Sequence, residues 1–170
     1  MKLRILTLTL LLPLAWTEPI VAEISPMQQP DDSTPQNSIL IAQNPSLSLG
    51  GAADLVSRWL EAKSRIFAPP FDRRTLEQFT TGALYRDTLK AIDFLLTNDG
   101  YYEYGVQKLE TVEQFAVSGN KATLEVQVTE DTTFYQNGKV QDSSFNTKRI
   151  RYKLECWDGI WKIADFQVIN

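Results

Sequence analysis

The sequence has no histidine and one cysteine, and these two shortages exclude whole classes of chemistry. Without histidine the chain lacks the side chain most used for general acid–base catalysis and the commonest metal ligand. One thiol can form neither an intramolecular disulfide nor a cysteine-rich metal site. Metal-dependent and triad-type reactions are therefore not expected. No phosphate-binding glycine loop occurs, so no cofactor is expected either. Basic excess is missing too: seventeen Lys and Arg stand against twenty-one Asp and Glu, a net charge of −4, which argues against a nucleic-acid partner. No internal repeat is present. The N-terminal apolar run, Ile5–Trp16, is shorter than the roughly 20 residues that a membrane-spanning helix needs.

That run has a different meaning. Lys2 and Arg4 precede it, Pro13 interrupts it, and small Ala22 follows in "EPIVAE". A positive start, a short apolar centre and a small residue at a cleavage point form the layout of a secretory signal peptide. Residues 1–22 are read as that signal, which predicts an exported protein of the periplasm or an equivalent extracytoplasmic compartment, with no stable membrane span after processing. From residue 23 to 51 Pro, Gln, Asn and Ser dominate, with the brief apolar "SILIA" (Ser38–Ala42) inside. Such a stretch buries too little apolar surface to offset its ordering entropy, so a disordered linker is expected.

The domain is expected over 52–170. "AADLVSRWLEAKSRIF" spaces Leu55, Val56, Trp59, Leu60, Ala62, Ile66 and Phe67 as a helix, and Pro69-Pro70 stops it. Asp72 can cap a second, short helix with Leu76 and Phe79. A third stacks Leu84, Thr88, Ala91 or Ile92, and Leu95, ending before Asp99-Gly100. Alternation then takes over: Tyr102, Tyr104 and Val106 on one strand face, then Ala122, Leu124, Val126 and Val128. Asn137-Gly138 marks a hairpin, and "KRIRYKLEC" and "WKIADFQVI" complete the sheet.

Asp158-Gly159 between the last two runs is a second hairpin signal. A two-residue turn there pairs Trp157 with Ile160, Cys156 with Trp161 and Leu154 with Ile163. The last two pairs share an apolar, inward face, so Cys156 is expected to be a buried small hydrophobe and Trp161 a core residue. Trp157 and Ile160 point the other way, and an outward tryptophan is a candidate interface anchor. Inward parity is odd at Trp161 and Ile163 but even at Phe166 and Val168, so a bulge is expected near Ala164-Asp165. Helices first and an antiparallel sheet afterwards give an α+β fold. A curved sheet capped by N-terminal helices is the cone of the nuclear-transport-factor-2-like (cystatin-like) superfold, whose mouth can hold a ligand or peptide.

Four blocks carry a resemblance over the whole expected domain: "LVSRWLEAKSRIF", "YYEYGVQKLETVEQ", "ATLEVQVTEDTTFYQNGKVQ" and "IRYKLECWDGIWKIADFQVI". In these the chain resembles the C-terminal intermembrane-space domain of chloroplast-division proteins and their cyanobacterial cell-division relatives. Here it is read as a stand-alone exported protein, without the J-like, long helical and transmembrane parts of those proteins. The resemblance implies a non-catalytic domain on the outer side of a membrane. In the plastid-division proteins such a domain grips the C-terminal tail of an outer-envelope partner, so a protein or peptide partner is expected here.

The candidate binding residues are Trp157 and Ile160 at the hairpin, with Tyr101, Glu103 and Tyr135 from the aromatic-rich strands. The alternative is a small-molecule-binding protein or enzyme, with Tyr101, Tyr102, Glu103 and Tyr104 near the mouth of the cone, because a tyrosine and a carboxylate in an apolar pocket can move protons. Its counter-reading is an ordinary aromatic-rich strand, with Tyr102 and Tyr104 in the core and Glu103 in water. Acidic "TEDTT" (Thr129–Thr133) reads as a solvated edge rather than a calcium site. "KRIRYK" (Lys148–Lys153) reads as an outer strand face rather than a phosphate site.

Overall fold

The chain enters its first helix at a serine. In the computed structural model, which describes residues 46–170, the Ser48 side chain accepts a hydrogen bond from the Gly51 amide at 3.0 Å and caps helix α1, Leu49–Ile66. The helix thus begins three residues ahead of the expected domain start at Ala52. The expected signal peptide and residues 23–45 of the expected linker lie outside the described residues. Asp72 caps α2 (Arg73–Phe79): its Oδ1 accepts from the Arg74 and Thr75 amides, and its Oδ2 from the Thr75 hydroxyl at 2.6 Å. Helix α3, Gly82–Thr97, buries Leu84, Thr88, Ile92 and Leu95 and leaves Ala91 exposed.

Four strands follow: β1 (Gly100–Ser118), β2 (Lys121–Gln136), β3 (Lys139–Trp157) and β4 (Ile160–Ile169). They form one antiparallel sheet in chain order, so β1 and β4 are the edges. The hairpins sit where turn chemistry puts them. Asn137-Gly138 and Asp158-Gly159 both have positive φ at both positions (52° and 69°, 51° and 79°), as a type I′ turn requires.

Side-chain alternation gives the sheet two unlike faces. Even-numbered Leu124, Val126, Val128, Ile150, Tyr152 and Leu154, joined by Ile163, are buried under α1–α3. In α1, Val56, Trp59, Leu60 and Ile66 supply the other half of this core. The Tyr102 amide donates to the Phe67 carbonyl at 2.9 Å, fixing the end of α1 to the start of β1.

The last hairpin has the expected register: Trp157 opposite Ile160, Cys156 opposite Trp161, Leu154 opposite Ile163. Lys153 then faces Asp165, so Ala164 is the extra residue of a bulge. The α2–α3 junction docks at this point. Thr81 donates its amide to the Ile163 carbonyl at 2.9 Å, and Gly82, at φ 58°, lies against Ala164. Strand β1 has three further register shifts, after Tyr104, Leu109 and Val112. Bulges bend and twist the strands that contain them, which curves the sheet around the helices. The first of these shifts takes Val106 out of line with Tyr102 and Tyr104 and leaves it exposed.

Cys156 is 3 % exposed, and its amide donates to the Asn120 carbonyl at 2.8 Å. Trp161 shares its face but is only partly buried, packed on the rim of the core rather than inside it. Cys156 should therefore be unreactive toward a thiol reagent in the native protein and react once the chain is unfolded. Rapid labelling of native protein would contradict the register of the last hairpin.

Candidate functional site

Beyond the bulge, even parity turns Phe166 and Val168 to the core side, opposite Tyr152 and Ile150. They are nevertheless 45 % and 50 % exposed, because β4 is an edge and no helix among the described residues covers this end of it. Between them and α1 lies a groove of about 170 Å³, walled by Trp59, Ile150, Tyr152, Phe166 and Val168 and floored by Lys63, Glu130 and Lys148.

The polar floor is built by the same alternation as the core. Glu130 continues the inward series Val126, Val128, and Lys148 continues Ile150, Tyr152. Lys63 lies one turn past Trp59 on α1 and is ion-paired with Glu130, the two side chains being 15 % and 13 % exposed. Gln107 and Asn146 flank Glu130 in register on the neighbouring strands. The side-chain oxygens Gln107 Oε1 and Asn146 Oδ1 are buried without a hydrogen-bond partner among the described residues. Burial raises the pKa of the Tyr104 hydroxyl, and the charge of Glu130 adds to this. Tyr152 is raised by the same two causes in the same order. Lys148 has no ion-pair partner among the described residues, so the groove carries one uncompensated positive charge.

The five sequence-predicted residues all lie elsewhere, on the outer face of the sheet. Tyr101 and Tyr135 face each other across β1 and β2 with rings stacked, 4.8 Å between centroids and 1° between planes. Glu103 accepts a hydrogen bond from the Tyr135 hydroxyl, the first cause of that group's raised pKa. Trp157 and Ile160 are 60 % and 59 % exposed at the β3–β4 turn, and the indole N–H donates to Glu155 at 3.3 Å. Most of the length of β2, about 45 Å along the strand, separates this pair from Tyr135. The structure thus brings Tyr101, Glu103 and Tyr135 together and leaves Trp157 and Ile160 apart from them. Placing Tyr101 and Glu103 at the mouth of the cone is corrected: they project from the face opposite the groove, while Tyr102 and Tyr104 point inward onto Phe67.

Two further expectations change. "TEDTT" is not an edge, because β2 is a central strand, and Glu130 is turned inward against Lys63. "KRIRYK" is an outer face for three of its four charges. Arg149 pairs with Glu113, Arg151 with Glu125 and Lys153 with Asp165, each within 2.7–2.9 Å, whereas Lys148 points into the groove. Among the described residues no cluster of acidic or sulfur side chains has the arrangement of a metal site.

The family model described as the ARC6-like IMS domain matches residues 52–164. The chain belongs to this family. Among solved structures, the intermembrane space region of chloroplast protein ARC6 superimposes with a TM-score of 0.67 at 22% identity, covering 74% of this chain and 98% of that one. The beta subunit of benzoate 1,2-dioxygenase from Burkholderia mallei is a looser match, with a TM-score of 0.48 at 12% identity over 72% of this chain and 90% of its own. An uncharacterized protein with a cystatin-like fold from Caulobacter vibrioides gives 0.42 at 13%, over 72% and 92%. No protein with a curated description matches. The fold is accordingly that of the ARC6 intermembrane space region, an α+β arrangement of three helices on a four-stranded antiparallel sheet. No helix among the described residues of this IMS-family domain is long and apolar enough to cross a membrane.

The sequence reading does not pick out Lys63, Glu130, Lys148 or Phe166, although a signal exists for Glu130 and Lys148. A charged residue that keeps the parity of an apolar strand face is committed to that face, and Glu130 and Lys148 both do so.

Proposed function

We propose that this IMS-family domain is a non-catalytic protein-binding module, exported to an extracytoplasmic compartment and linked to the cell envelope or to division. The groove between α1 and β3–β4 is where it holds a segment of its partner. One observation carries this reading: Phe166 and Val168 lie on the core side of the sheet yet remain about half exposed, beside Lys148, which has no ion-pair partner among the described residues. Apolar walls with one uncompensated ammonium suit a peptide that presents an apolar side chain next to a carboxylate, as the end of a chain does. The same geometry argues against proton-transfer chemistry in the cone. The one carboxylate lining the groove among the described residues, Glu130, is held by Lys63, and the Tyr101–Glu103 pair is on the other face.

A second reading places the partner on the β3–β4 turn, favoured by the exposure of Trp157 and Ile160. Partner captured from the periplasmic fraction by the full chain separates the two. If the groove binds, Phe166→Glu and Lys148→Ala should each weaken binding of the recovered partner about tenfold or more, and Trp157→Ala should leave it unchanged, each loss being about 1.4 kcal/mol. Loss through Trp157→Ala alone would move the interface to the hairpin.

A further inference from the structure

The outer face of the sheet divides into two unlike halves. In the half nearer the β3–β4 turn, charge is matched strand by strand: Glu113 with Arg149, Glu125 with Arg151, Lys153 with Asp165. In the half nearer the β2–β3 turn it is not. There Tyr101, Tyr135 and Val140 stand in one cross-strand row, and Phe145 lies opposite Asp131 further along. Val140 is 56 % and Phe145 68 % exposed. Glu103 and Asp131 border these side chains on the same face, and neither has a cationic partner among the described residues. Gly105 leaves room for Asp131, since a Cβ on that glycine would run into the Asp131 carboxylate.

We propose that this half of the sheet is a second docking surface, separate from the groove, for a protein segment carrying arginine next to apolar side chains. The partner's chemistry follows from what the surface lacks. Exposed Phe145 and Val140 offer apolar area, and two unpaired carboxylates beside them select positive charge. The stacked tyrosines favour arginine over lysine, because a guanidinium lies flat on an aromatic ring and forms paired hydrogen bonds to a carboxylate, whereas an ammonium does neither. A segment with acidic residues would meet only repulsion here.

The test is a titration of the full-length chain with three acetylated, amidated pentapeptides that alternate leucine with arginine, lysine or glutamate. Amide chemical shifts report the site. The arginine peptide should bind at least tenfold more tightly than the glutamate peptide and more tightly than the lysine peptide, with shifts clustered on residues 101–103, 131–135 and 140–145. Glu103→Gln with Asp131→Asn should weaken it about tenfold. Phe145→Ser, at a largely exposed side chain, should do so without affecting the fold, and Phe166→Glu should have no effect. Equal binding of the arginine and glutamate peptides, shifts confined to the groove, or self-association of the chain through Phe145 would overturn the proposal. The groove reading survives any of these outcomes, because its own test uses Phe166 and Lys148.

Discussion

Trp59→Ala is expected to lower the free energy of unfolding by about 3–5 kcal/mol, the range for deleting a large core aromatic. Trp59 is 2 % exposed and fills the space between α1 and the centre of the sheet. Out of a typical domain stability of about 5–15 kcal/mol, that loss brings the native state close to its limit. The comparison that gives the number meaning is Trp157→Ala. Its indole stands outward at 60 % exposure with one polar contact, to Glu155, so its loss should change stability by no more than about 0.5 kcal/mol. Trp161, partly buried on the rim of the core, should fall between the two. Urea unfolding of the three variants checks the order. A Trp157→Ala loss as large as that of Trp59→Ala would mean that the outer face is covered, and the hairpin reading of the interface would fail with it.

The ion pair beneath the groove should produce the second large effect. Glu130→Leu leaves the Lys63 ammonium, and Lys63→Met leaves the Glu130 carboxylate, without its partner in a nearly enclosed site. Each single change should cost about 3 kcal/mol, chiefly the penalty of an uncompensated buried charge. The double variant should recover most of that loss, since well-packed apolar side chains replace a buried pair at little or no net cost. The signature is therefore non-additivity, read from a double-mutant cycle of unfolding free energies. Two losses that simply add would show the side chains to be independently solvated.

Local chemistry made most of the fold legible. Asp158-Gly159 set the last hairpin, and with it the pairings of Trp157, Cys156 and Leu154, because a two-residue turn leaves no freedom of register. The parity slip between Ile163 and Phe166 revealed the bulge at Ala164 for the same reason. The start of α1 was not legible. Gly50 and Gly51 have poor helix propensity and read as linker, and the Ser48 cap that overrides them shows only in the structure. The groove was hidden for a different reason. Parity states which side of a sheet a residue takes, but whether a helix covers that side at Phe166 depends on where α1 and α3 lie, which no local pattern encodes. Placing Tyr101 and Glu103 at the cone mouth runs against the alternation of their own strand, which turns Tyr102 and Tyr104 toward the core and leaves Glu103 in water, as the structure has them.

The edges of the sheet have a consequence for how these molecules behave when crowded together. An exposed strand edge is a template on which another chain can lay down its own backbone. Strand β1 interrupts that template three times, after Tyr104, Leu109 and Val112, so no long row of amides and carbonyls lies in line. On the opposite side, Thr81 already occupies the Ile163 carbonyl, and the Phe166 amide is satisfied by the Asp165 side chain next to it. Neither border offers a growing ribbon an uninterrupted run. The devices that curve the sheet also break up the two borders along which one copy could add its backbone to the next.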